Sequence, residues 1–243
     1  MHVSVIQARK ERERTAREEL ILDHAQRMLL HDGFQNLNLD QLAEAVEYSK
    51  GTLYLHFKTK EDIALAVITR ALKERAEFFE RALKLQGRSR ERARAIGFAC
   101  CHFAKVYPDY FSVELMLKSQ SFWQKADESR QHQYGMEGGR CFRVMNRIVN
   151  EGLQSGDLPQ GTMTPEQIVF GIASTAIGSH IMSRNSHAAM MSGIDDPLHA
   201  LCQNVNLVLD GLGWKPLSSE WDYDAVDRRI KKEIFPDATW FKG

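Results

Sequence analysis

NLNLDQLAEAVEYSKGTLYLHFKTKEDI, residues 36–63, decides the fold of this chain. It holds two short helical patterns separated by a tight turn. Asn38 is placed to cap the first helix. Gln41, three residues on, makes the pair a variant capping box that satisfies orphan backbone donors. Leu39, Leu42, Ala43 and Val46 give that helix one apolar face. Ser49 is placed to cap the second helix, with Tyr48 positioned to pack on Leu53 as a hydrophobic staple. Leu53 and Phe57, four apart, face inward. Lys50, Thr52, Tyr54 and His56 are left on or near the outer face. The pattern is a helix-turn-helix whose second helix suits a DNA major groove.

The order and spacing of Gly33-Phe34, Leu42-Ala43, Ser49 to Tyr54, Phe57 and Lys60 resemble the tetracycline-repressor (TetR) family of bacterial transcription regulators. The likeness spans residues 18–70. Two positions depart from the family pattern: the turn, usually Gly, is Glu47, and the next site, usually a small aliphatic, is Tyr48. A Glu in a left-handed turn costs about 1 kcal/mol relative to Gly. The resemblance implies that Lys50, Gly51, Thr52, Tyr54, His56 and Lys60 lie at the DNA. Their chemistry suits that role. Gly51 permits close approach, Thr52 and the first helical amides reach phosphates or base edges, and Tyr54 and His56 donate to phosphate oxygens. Lys60 opens the next helix, where a phosphate is doubly favoured. The alternative for Tyr54 and His56 is packing within the three-helix unit.

Six prolines in 243 residues, 43% hydrophobic content and scarce strand-like alternation favour an all-α fold with a sizeable core. The formal net charge is zero, so attraction to phosphate must be local. Arg9, Lys10, Arg12, Arg14 and Arg17 are diluted by Glu11 and Glu13, whereas no acid interrupts the stretch from Lys50 to Lys60. Cys100, Cys101, Cys141 and Cys202 show no CxxC spacing, and reduced thiols in a cytoplasmic protein are expected. The N-terminus lacks the apolar core of a signal peptide, and no run of about 18 apolar residues suggests a membrane span.

Three segments are expected: an N-terminal arm and helix-turn-helix DNA-binding domain (1–60), a helical effector-binding and dimerisation domain (61–213), and an extra C-terminal tail (214–243). Residues 1–15 read as a charged arm. A helix follows from about Thr15 to His31, stopped by Gly33. Thr59, with Asp62 as its capping-box partner, starts a long helix to about Leu85. Further helices fit 90–106, 109–119, 127–154, 165–184 and 197–212. In the tail, Val226, Ile230 and Ile234 make residues 222–235 amphipathic.

In the central helices, Ile96, Cys100, Phe103 and Tyr107 share one face, and Tyr134, Gly138, Cys141, Met145 and Ile148 share another. The resemblance implies an effector cavity here. Its candidate lining is His102, Phe103, Tyr107, Phe122, Trp123, Tyr134, Phe142 and Met145, with His102 or Tyr134 orienting a small apolar effector. That reading requires a cavity on the order of a few hundred Å³. Plain core packing is the alternative for each residue taken singly. Small residues gather on 165–184. Gly171, Ser174, Thr175 and Gly178, with Leu201, Val205 and Val208 of the following helix, suit a four-helix bundle with a second subunit. The bland alternative is an intrachain helix pair.

Nine histidines form no HxxxH or HExxH, and no GxSxG, P-loop or Rossmann fingerprint occurs. No metal, cofactor or catalytic role is expected. The reading is a homodimeric regulator, most simply a repressor, that binds a pseudo-palindromic operator and is released by an apolar effector. Its rivals are a helical-bundle enzyme or carrier for an apolar molecule, and a DNA-binding regulator without an effector.

Overall fold

The computed structural model describes residues 5–108, 110, 120–161, 163–184, 191, 193, 194 and 196–241. Every regular element among them is a helix. In chain order these are α1 (Val5–Asn36), α2 (Leu39–Ala45), α3 (Lys50–His56), α4 (Lys60–Ala82) and α5 (Ser89–Val106). They continue as α6 (Gln120–Lys125), α7 (Glu128–Ser155), α8 (Pro165–Arg184), α9 (Pro197–Gly211) and α10 (Tyr223–Glu233). None of the described helices is long and apolar enough to cross a membrane.

Most boundaries fall where the capping and glycine signals place them, with two corrections. First, α1 begins at Val5 rather than near Thr15. Ion pairs at helical spacing, Arg9–Glu13, Glu11–Arg14 and Glu13–Arg17, extend it through the charged arm. Its apolar face, Ile21, Leu22, Ala25 and Leu29, is buried. Gly33, with φ 77°, marks a kink inside α1 rather than its end. Second, α6 was not anticipated. The helix expected at 109–119 lies outside the described residues apart from Tyr110.

The chain forms two compact units, Met1–Leu72 with Ser112–Glu137, and Lys73–Phe111 with Gly138–Gly243. The first is built on Leu42, Ala43, Val46, Leu53 and Phe57 of the helix-turn-helix, all buried. The second absorbs the C-terminal tail into its core. Trp214 is fully buried, and its indole N–H donates to Ser89 Oγ at 2.9 Å. Buried Arg90 donates to the Trp214 carbonyl and to Asp210 Oδ1. Arg94 grips Asp227 with two bonds, at 2.8 and 2.5 Å. Phe235 stacks between Phe78 and Phe98. The tail therefore closes charges and fills space that the preceding helices leave open.

Candidate functional site

Asn38 Oδ1 accepts the N–H groups of Asp40 and Gln41, and Ser49 Oγ accepts that of Thr52 at 3.1 Å. Both helices of the reading motif thus start at side-chain caps. The turn between them puts Glu47 at φ 56°, the left-handed conformation that favours Gly. The Glu47 N–H still reaches Glu44 O at 3.0 Å and the Tyr48 N–H reaches Ala43 O at 2.9 Å, so both of these turn amides are bonded.

With Leu53 and Phe57 turned inward, α3 presents Lys50, Gly51, Tyr54 and Leu55 to solvent. Tyr54 is 49% exposed and Leu55 85%. Thr52 is half-buried, its hydroxyl 2.9 Å from Ser49 Oγ. Lys50 lies 2.7 Å from Asp40 Oδ2, an exposed surface pair of the kind that contributes little in water. The carboxylate of Asp40 raises the Lys50 pKa. His56 and Lys60 sit differently. The His56 ring is turned in, 3.7 Å from Glu18. Lys60 Nζ donates to the carbonyls of Phe34 (3.4 Å) and Gln35 (3.1 Å) and lies over the Phe34 ring. It caps the end of α1. Leu55 is an exposed residue of the reader that the motif reading passed over, although its place beside Tyr54 marked it. Arg130 had no local signal. It pairs with Glu18 at 2.7 Å, donates to His56 O and covers the Phe57 ring.

Of the eight candidate ligand residues, three belong to the first unit and five to the second. Phe122, Trp123 and Tyr134 belong to the first unit, where Phe34 packs on Phe122 and Trp123 on Tyr134. In the second unit, Phe103 and Tyr107 pack with Phe78 and Tyr110, and the Tyr107 hydroxyl donates to Glu74. His102 is held by the tail: its Nε2 lies 3.2 Å from Asp237 Oδ2, and the Trp240 indole N–H donates to Nδ1 at 3.0 Å. Of the eight, only Phe142 and Met145 line the part-open apolar cavity among the second unit's helices. That cavity measures about 100 Å³, with Ile96, Cys100 and Ile172 on its wall and Arg75 and His180 as its basic groups. Among the described residues, no cluster of three or more His, Cys, Asp or Glu is arranged to hold a metal.

Helices α8 and α9 pack on each other. Of the residues offered for a dimer contact, Leu201 and Val205 are buried within the chain. Ser174 is exposed, while Gly171, Thr175, Gly178 and Val208 are half-buried. Among the described residues, the large apolar groups left open on this pair are Phe170 (68% exposed), Ile177, Met182 and Leu207 (69%). Phe170 and Ile177, seven apart, flank Ser174 on one face of α8. Scanning for small residues missed them because the signal was bulk, not its absence.

A family model described as "Bacterial regulatory proteins, tetR family" matches residues 21–67. The fatty acid metabolism regulator protein of Bacillus subtilis (strain 168) is 23% identical over 170 residues, covering 67% of this chain and 82% of that protein. Among solved structures, a TetR family transcriptional regulator from Thermus thermophilus aligns with a TM-score of 0.60 at 20% identity. It covers 79% of this chain and 98% of that one. A fatty acid degradation regulator from Bacillus halodurans aligns at 0.63 and 16% identity, over 82% and 97%. At these identities the structural likeness establishes the fold.

Proposed function

The chain belongs to the tetR family of bacterial regulatory proteins, and we propose that it acts as a homodimeric repressor of a pseudo-palindromic operator, released by an acyl-type apolar ligand. The observation that carries the DNA half is the α3 surface. Lys50, Gly51, Tyr54 and Leu55 are open to solvent on a helix whose inner face and N-terminus are held by buried side chains and caps. Such a helix enters a major groove without reorganising. Two copies engage half-sites together, and the open apolar groups Phe170, Ile177 and Leu207 on α8 and α9 suit the pairing. Selection of binding sites from random DNA by the full chain tests this. An inverted repeat with half-site centres about 34–36 Å apart is expected. Absence of any enriched sequence ends the reading.

Two observations support an acyl ligand. The cavity is apolar except for Arg75 and His180, a lining that suits a hydrocarbon chain with an acidic head. The relatives described as regulators of fatty acid metabolism or degradation, from Bacillus subtilis, Bacillus halodurans and Clostridium perfringens, point the same way. The ligand acts by binding the DNA-free state more tightly, a coupling of roughly 1–3 kcal/mol.

A second reading, a regulator without an effector, has its own observation. The cavity's 100 Å³ falls short of the roughly 300 Å³ at which ligand sites begin, and His102 is already engaged by Asp237 and Trp240. A chain-length series of fatty acids and acyl thioesters separates the two. If the cavity opens around an acyl chain, one length raises the melting temperature and releases operator together. If none does either, the effector-free reading holds.

A further inference from the structure

The Sγ atoms of Cys101 on α5 and Cys202 on α9 lie 4.0 Å apart, although 101 positions separate them in the chain. Both are free thiols. A disulfide spans about 2.0 Å between sulfurs, so forming one draws these two about 2 Å closer. Cys101 is buried and Cys202 half-buried. Both line a cleft of about 870 Å³ between α5, α9 and the tail. A cleft of that size admits a small oxidant.

The surroundings distinguish the two sulfurs. The contact between the two thiols, in which either can donate, raises the pKa of Cys101 and lowers that of Cys202. Burial opposes the lowering at Cys202, and the guanidinium of Arg94 adds to it. Asp227, which holds Arg94, and Asp196 work against it. Cys202 is the half-buried sulfur that an oxidant in the cleft reaches first, and Cys101 the buried thiol beside it. Cys100 is a different case: burial raises its pKa to about 12.

We propose that Cys202 and Cys101 form a peroxide-oxidisable pair that closes to an intrachain disulfide tying α5 to α9. The Cys202 thiolate attacks one oxygen of hydrogen peroxide, breaks the O–O bond and becomes a sulfenic acid, releasing hydroxide. The Cys101 sulfur, on losing its proton, attacks the Cys202 sulfur and expels a second hydroxide. Protons from the two thiols and solvent convert both hydroxides to water. Two thiols thus lose two electrons, which reduce one peroxide to two waters. A dithiol reductant reverses the change by exchange. The pair stands on its geometry and is independent of the ligand and operator readings.

The test uses the full chain, reduced, then treated with about one equivalent of hydrogen peroxide. Free thiols are counted after denaturation, and peptides are mapped by mass. The expected result is loss of two of the four thiols, an intact chain lighter by two hydrogens and a linked Cys101–Cys202 peptide. A dithiol should restore all of it. Cys101→Ser should stop at a sulfenic acid on Cys202 that a cyclic 1,3-diketone traps, and Cys202→Ser should keep all its remaining thiols at this dose. A wild-type product linked between chains, a Cys202 sulfinic acid without a link, or oxidation of Cys100 or Cys141 first would overturn the proposal. The wild-type peptide map decides the matter even if a serine variant fails to fold.

Discussion

Asp62 Oδ1 accepts the backbone N–H of Asp127 at 2.7 Å, so a carboxylate in the first turn of α4 holds the residue that precedes α7. Its other oxygen accepts the N–H groups of Lys58 and Thr59, each at 3.1 Å, and Thr59 Oγ1 accepts the Asp62 N–H in return. Asp127 answers by accepting from Ser129 and pairing with Lys58 at 2.9 Å. The Ser129 hydroxyl, then Lys58, holds the Asp127 carboxyl well below the usual carboxylate range. This circuit joins the chain just after the reading helix to the start of α7 within one unit.

Asp62 is 2% exposed, and replacing it with Ala strands three backbone donors at once. The loss of a helix cap costs about 1 kcal/mol, and a fully buried N–H left without a partner roughly 1–3 kcal/mol; the three donors here are only part-buried, so water recovers most of that second cost. Asp62→Ala should lower stability by about 1–2 kcal/mol in urea denaturation, and Asp62→Asn, which keeps one oxygen, by less. An unchanged midpoint for Asp62→Ala would show that the circuit carries no stability.

Tyr54→Ala removes an exposed side chain from α3 and should weaken operator binding while leaving circular dichroism unchanged. Lys50→Ala should reduce the salt dependence of binding by about one phosphate contact. Lys60→Ala should do more than lose affinity. Its ammonium holds the Phe34 and Gln35 carbonyls, so the melting temperature should fall as well. Unchanged affinity and salt slope in both reader variants would remove these residues from the DNA.

Gly178 offers a clean probe of the dimer. A Cβ built on it meets none of the described atoms within 4 Å, so the described part of the protomer leaves room for one there. Gly178→Leu should therefore leave the fold intact while separating subunits that pair through α8 and α9. Sedimentation should report monomers and operator affinity should collapse. A variant that stays a tight dimer moves the interface elsewhere.

Gly152 behaves in the opposite way. A Cβ there would lie 3.0 Å from Trp214 Nε1 and 3.1 Å from two ring carbons, against a fully buried indole. Gly152→Ala should destabilise the second unit by about 1–3 kcal/mol, read as a lowered midpoint. Since Trp214 is locked by Ser89 and Arg90, the ring has little room to give.

Burial pushes the Tyr223 hydroxyl up to about 12, from an ordinary value near 10. A raised folded value means that the neutral phenol is favoured in the folded state. Its contribution is fully present below pH 10 and is lost as pH rises towards 12. Phenolate absorbance during alkaline titration should show one tyrosine ionising last, and Tyr223→Phe should remove that step. The Tyr223 hydroxyl also donates to Pro216 O at 2.7 Å, so this variant should lose some stability at neutral pH. A wild-type titration with no late tyrosine would refute the assignment.

The helix-turn-helix was legible because its signals are local. Asn38 and Ser49 cap within three residues of themselves, Leu53 and Phe57 face inward by helical period, and Thr59 and Asp62 close their box across one turn. The sequence by itself determined the all-α class, most helix boundaries and the outward placement of Lys50, Gly51 and Tyr54 on α3, but not that of Leu55. It could not determine where Lys60 and His56 point, because their partners Phe34, Gln35 and Glu18 lie on another helix. Nor could it assemble the second unit. Tyr134 shares one apolar face with Met145, and Phe103 another with Ile96, yet periodicity says only that a face is buried, not against what. The tail illustrates the limit most clearly. Its amphipathic pattern was readable, but Arg90, Arg94 and His102 find their partners at Asp210, Asp227 and Asp237 more than a hundred residues later. Pairings at that separation depend on how helices pack, and only the tertiary structure decides them.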